Sequence, residues 1–111
     1  MQALFNLWLE KNDEVVLSTW RAALLRAVAD TGSISAAAER MKVQYRTAWQ
    51  KINEMETRLG VKLVETQIGG VHGGGAHLTP AARDYLDKFD RFSADVETVV
   101  QTKFRETFGR Q

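Results

Sequence analysis

An α+β fold is predicted by three features of this sequence. The run from Gly32 to Leu59 reads as two short helices joined by a tight turn, the second with a polar face opposite an apolar stripe. A glycine-rich stretch, Gly69–Gly75, lies between two short strand-like segments. A hydroxyl followed by proline, Thr79-Pro80, then opens a long helical pattern that closes the chain. In that order the three describe a winged helix-turn-helix with an amino-terminal strand and a long carboxy-terminal dimerisation helix. The expected organisation is one unit over residues 1–79, followed by a long helix and tail over 80–111.

Each element has a local reason. Ala3–Glu10 alternates imperfectly and suits a strand covered on both faces, with Lys11–Glu14 as a polar turn and Val15–Leu17 as a brief return. Ser18 can cap a first helix over Thr19–Asp30, whose Trp20, Leu24, Ala27 and Val28 recur at helical spacing, and Gly32 marks its end. The second helix starts at Ser33 or Ser35 and runs through Met41, favoured by Ala36, Ala37 and Ala38. Val43 sits in the connecting turn, where an apolar side chain gains most by pointing inward. The third helix covers Tyr45–Leu59, with Ala48, Ile52, Met55 and Leu59 forming one core stripe before Gly60 stops it. Lys62–Thr66 and Ala76–Leu78 are the strands on either side of the glycines, and a three-stranded sheet follows if Ala3–Glu10 pairs with them. Trp8, Trp20 and Trp49 are expected to be structural.

The helix from Pro80 to Phe108 would span ~43 Å, more than a domain of this size needs for its own core. Tyr85, Phe89, Phe92, Val96 and Val99 alternate by four and three positions, with Leu86, Val100 and Phe104 beside or beyond that seam. A partner helix can bury such a face, so a homodimer is expected.

Composition removes several classes. The chain has 111 residues, 44% of them hydrophobic, no cysteine and a net charge of +1. Thiolate zinc sites, disulfide scaffolds and a cysteine nucleophile are therefore excluded. No run of eighteen apolar residues suggests a membrane span, and the first residues do not resemble a signal peptide, so the cytoplasm is expected. The two histidines lack a convincing third ligand, so no metal or other cofactor is expected. The glycine loop lacks the Gly-Lys-Ser/Thr ending of a nucleotide-phosphate loop. No serine has a persuasive histidine–acid arrangement, and the carboxylates are read as solubilising, so no enzyme is expected.

The distribution of charge is more telling than its sum. Between Arg21 and Lys62 eight basic residues face four acidic ones, an excess that can steer a polyanion to one surface. The third helix then carries the right chemistry for double-stranded DNA. Arg46 can pair with guanine or a phosphate, Gln50 has the donor–acceptor pair suited to adenine, and Thr47 can meet a thymine methyl or a phosphate. Lys51 is a phosphate contact by its flexible point charge. Tyr45 can donate to phosphate or pack at the turn. Ser33 and Ser35 can contact phosphate or simply cap the second helix, and His72, with His77, can donate from the wing. The rival reading is an interaction adaptor that keeps the winged-helix fold and uses the long helix to bind another protein.

The run Gly32-Ser33-Ile34-Ser35-Ala36-Ala37-Ala38 followed by Tyr45-Arg46-Thr47-Ala48-Trp49 resembles the amino-terminal winged helix-turn-helix of molybdate-responsive transcriptional regulators. So do Ile52-Asn53-Glu54-Met55, Leu63-Val64-Glu65-Thr66-Gln67, the glycine pairs and triplet of the loop, and Leu78-Thr79-Pro80. The likeness covers roughly Leu17–Leu86 and extends more distantly to LysR-type regulators. It implies a homodimer with Tyr45, Arg46, Thr47 and Gln50 in the DNA-reading region, the glycine loop as wing and a subunit-pairing role from Pro80 onward. In the molybdate regulators further carboxy-terminal domains bind the oxyanion. This sequence ends after the long helix, so the expectation is a regulator without its own molybdate-sensing domain, stand-alone or served by a separate sensor protein.

Overall fold

The computed structural model describes residues 1–68 and 75–109 of the chain. The elements, in chain order, are β1 (Trp8–Lys11), β2 (Glu14–Ser18), α1 (Thr19–Thr31), α2 (Ile34–Arg40), α3 (Tyr45–Leu59), β3 (Val64–Gln67), β4 (Gly75–Leu78) and α4 (Pro80–Phe108). Together they make a winged helix-turn-helix with an added amino-terminal hairpin.

Two expectations for the strands are corrected. The amino-terminal strand begins only at Trp8, and β1 pairs antiparallel with β2 rather than extending the later hairpin into a three-stranded sheet. The reason lies in the turn: Asn12 and Asp13 both take left-handed φ values, 53° and 65°, the geometry of a two-residue hairpin that folds β1 straight back on β2. Residues 1–7 form no ladder. The Ala3 carbonyl instead accepts from the Gln101 amide on α4 (2.9 Å), while Leu7 and Leu9 pack against the core.

The helices begin and end where their side chains dictate. The Ser18 hydroxyl accepts from the Arg21 amide, the Ser33 hydroxyl from that of Ala36, and the Thr79 hydroxyl from that of Ala82. Gly32 and Gly60 stop α1 and α3 at φ values of 78° and 72°, a conformation glycine adopts without a Cβ penalty. The core gathers Leu24, Leu25 and Val28 of α1, Ile34, Ala37 and Ala38 of α2, Ala48, Ile52 and Met55 of α3, and Leu63 and Leu78 at the second hairpin. Burying one such leucine or isoleucine is worth about 1.5–3 kcal/mol. Trp8 and Trp20, expected inside, are both exposed. Trp8 lies on a two-stranded hairpin with only one covered face, and its indole N–H turns to the Glu10 carboxylate (2.9 Å).

Helix α4 belongs to the core only at its beginning. Ala82, Leu86 and Phe89 are buried there, and Arg26 of α1 pairs with Asp90. Beyond this point one side of the helix lies along the amino-terminal segment, by Phe5 and Leu7 and as far as the Ala3–Gln101 bond, and the molecule measures 57 × 29 × 22 Å. Its outer face carries the pairs Asp84–Lys88 (2.8 Å) and Asp87–Arg91 (3.3 Å), both at i,i+4 spacing. Among the described residues no helix is long and apolar enough to cross a membrane.

Candidate nucleic-acid interface

The turn between α2 and α3 sets the angle at which α3 is displayed. Met41 closes α2 and Lys42 takes a left-handed φ of 59°. The Val43 amide then donates to the Ala38 carbonyl (3.0 Å), and its side chain lies half-buried on the core. Helix α3 is thereby held by its apolar stripe, with Ala48, Ile52 and Met55 sealed from solvent and Leu59 packed at its end.

The opposite stripe is Arg46, Gln50, Asn53 and Thr57, at i, i+4, i+7 and i+11, all exposed. These four side chains make no hydrogen bond or ion pair among the described residues. They line an open groove whose far wall is Glu14 of the amino-terminal hairpin. Donors and acceptors left free along a rigidly anchored helix are what base-edge recognition needs. Thr47 and Lys51 are half-exposed and sit on the flank of this stripe. Lys51 Nζ lies 3.8 Å from Glu54, which offsets part of its charge.

On the other flank, Tyr45 is 53% exposed and its hydroxyl accepts from the Trp49 indole N–H. Trp49 packs half-buried on the core, as expected, yet its outer edge forms a ridge between the groove and a second concavity. This second hollow lies between the starts of α2 and α3 and the base of the second hairpin, and it holds Ser33, Ser35 and Ile68, the last fully exposed. Ser33 acts as the cap of α2, while Ser35 is exposed. His72 and the rest of the glycine loop from 69 to 74 lie outside the described residues. His77 is described, and its ring pairs across the hairpin with Glu65 (3.2 Å), its register partner.

The carboxylates of α3, expected to be solubilising, include two that instead hold this face in place. Glu56 Oε2 accepts from the amides of Leu63 (2.8 Å) and Val64 (3.1 Å), clamping the second hairpin to α3. The Ala76 amide adds a bond to the Gly32 carbonyl (2.8 Å), and the Thr79 hydroxyl one to that of Lys62 (2.7 Å). Glu54 accepts from Arg21 of α1 (2.9 Å), a residue only 9% exposed. The Arg21 guanidinium holds the Glu54 carboxyl below its ordinary value of 4.5, with Lys51 and Arg58 adding attraction against the opposing effect of burial. The signal that was available is Arg21 itself, which shares the apolar stripe of Leu24, Leu25 and Val28. An arginine there must carry its head group to solvent or find an anion at the edge of the core.

In the expected dimerisation set, Leu86 and Phe89 are taken up by the chain's own core and Tyr85 packs against it. Of the remainder, Phe92 is 49% and Val99 57% exposed, while Val96, Val100 and Phe104 are half-buried. Among the described residues no three histidine, aspartate or glutamate side chains gather in a way that could hold a metal.

Residues 21–83 match the family described as bacterial regulatory helix-turn-helix protein, lysR family. The transcriptional regulator ModE of Yersinia pestis is 39% identical over 90 residues, covering 81% of this chain and 34% of that protein. The molybdenum-pterin-binding protein MopB of Rhodobacter capsulatus is 38% identical over 82 residues, 74% of this chain and 30% of its own. The chain thus spans about a third of the length of the relatives it matches. Among solved structures, the complex of the CbnR DNA-binding domain with DNA superimposes with a TM-score of 0.55 at 28% identity, over 78% of this chain and 90% of that one. ArgP from Mycobacterium tuberculosis gives 0.52 at 28% identity, over 78% of this chain and 30% of its own.

Proposed function

Since the chain belongs to the bacterial regulatory helix-turn-helix proteins of the lysR family, we propose that it is a sequence-specific, double-stranded-DNA-binding transcriptional regulator of the cytoplasm, working as a homodimer. The observation that carries the reading is the free polar stripe of α3, presented opposite a sealed apolar one. Arg46 and Gln50 supply base discrimination from the major groove. Asn53 extends the same row, and Thr47, Tyr45 and Lys51 meet the backbone on either flank. Ser35 adds a hydroxyl from the start of α2, Ser33 serves by capping it, and the glycine loop with His72 steadies the duplex as a wing. ModE of Yersinia pestis, which this chain resembles, is named as a transcriptional regulator, and the CbnR domain that it superimposes on is held in a complex with DNA.

The pairing role falls to α4 beyond Phe89, along Phe92, Val96, Val99, Val100 and Phe104. Its charge supports an antiparallel pair: residues 80–97 carry five carboxylates against three cations, and 98–111 carry three cations against one. Two copies crossing near Val96 bring unlike halves together. A two-fold dimer then offers two α3 helices to successive major grooves, about 34–36 Å apart.

The test is selection from random duplex DNA at near-physiological salt, followed by competition between recovered and scrambled sites. A recovered palindromic motif is the expected result, and no enrichment overturns the reading. Arg46→Ala should then lower discrimination at one base position by ~1–3 kcal/mol. An equal loss on every sequence assigns Arg46 to phosphate instead.

A further inference from the structure

Beside the reading stripe lies a charge cluster that the duplex-binding role does not by itself require. Glu54 stands one turn after Gln50 and lines the same groove. Its Oε2 accepts from Arg21 (2.9 Å) and lies 3.7 Å from Arg58 and 3.8 Å from Lys51. Arg58 in turn reaches Glu14 on the far wall of the groove (3.2 Å) and donates to the Val15 carbonyl (2.8 Å). Three cations are thus gathered on two carboxylates at the edge of the surface that would face DNA. Cations so close to a duplex attract phosphate whatever the sequence, and that attraction is the main source of non-specific binding. A carboxylate in the same place has two opposite effects: it neutralises those cations and it repels the backbone.

We propose that Glu54, together with Glu14, is a specificity-determining residue of the groove. It keeps the charge of Arg21, Lys51 and Arg58 within the protein, suppresses sequence-independent attachment and leaves discrimination to Arg46 and Gln50. Affinity for every sequence is lowered, and the ratio between right and wrong sites is raised, because only the right site can add base contacts. The inference rests on the duplex-binding reading and is tested separately from it.

The full chain is titrated first with a selected and a scrambled duplex over a salt series. A wild-type protein with no preference removes the duplex reading itself. Given a preference, Glu54→Gln should bind the scrambled duplex about threefold or more tightly, with a lower selected-to-scrambled ratio and a salt slope steeper by about 0.9, one phosphate's worth. Glu14→Gln should change both in the same direction but by less. Its side chain is exposed, so it decides the matter even if Glu54→Gln fails to fold. Glu54→Asp, which retains the charge, should keep the wild-type ratio. If both glutamine variants bind scrambled DNA no more tightly than wild type, or lose selected and scrambled binding equally, the cluster only braces α3 and the proposal falls.

Discussion

Helices α3 and α4 are both amphipathic, and they leave opposite faces uncovered. In α3 the apolar stripe is sealed while the polar stripe stands free. In α4 the polar side is busy with its own ion pairs, and past Phe89 the apolar seam leaves Phe92 and Val99 exposed. A free row of donors and acceptors fits a partner that displays hydrogen-bonding edges, whereas a free row of phenylalanine and valine fits another apolar surface. The two helices therefore divide the proposed work between nucleic acid and protein.

The largest effect that would break this contrast concerns the two stripes themselves. Ile52→Ala should destabilise the fold by about 2–5 kcal/mol in urea titration, because the cavity sits in a closed core. Val99→Ala, measured in dilute monomer, should stay within about 0.5 kcal/mol. Similar costs at both positions would mean that the α4 seam already has a partner within the chain. Next in size, the double variant Phe92→Asp with Val99→Asp should sediment as a monomer and bind a two-half-site duplex about 100-fold more weakly, with its affinity for a single half-site intact. A dimer that survives these aspartates would move the pairing surface elsewhere.

The smallest effect sharpens the account of how α3 is held. The Glu54 carboxyl is depressed in the folded chain, so its contribution to stability is present above about pH 4.5 and is lost as pH falls through the lower, folded value. Wild type should therefore lose more stability than Glu54→Gln between neutral pH and about pH 3 in parallel urea titrations. Parallel pH profiles would show that the Arg21 pair adds nothing to holding the helix.

What the sequence made legible was local. Thr79-Pro80, the two stopping glycines and the four-residue stripe of α3 each act within a turn or two of their own position, and the helices fall where those signals place them. The amino-terminal strand was misread because Phe5, Leu7 and Leu9 alternate as a covered strand would. Here Phe5 and Leu7 sit instead in a hollow beside Phe89 of α4, with no ladder involved. The charge network was hidden for a different reason. Arg21 and Glu54 are thirty-three positions apart, and nothing near either one announces the other. The set on α4 divides on the same principle: periodicity gives the seam as a whole, but only the tertiary arrangement shows that Leu86 and Phe89 are already taken.

The Glu56 clamp has a mechanical consequence. With the Leu63 and Val64 amides seated on one carboxylate, the wing hairpin cannot swing about Gly60 unless both bonds break. Helix α3 and the base of the second hairpin are thereby tied at one spacing. In the proposed duplex-binding role, a groove of matching width would be met without the entropic penalty of first ordering the hairpin.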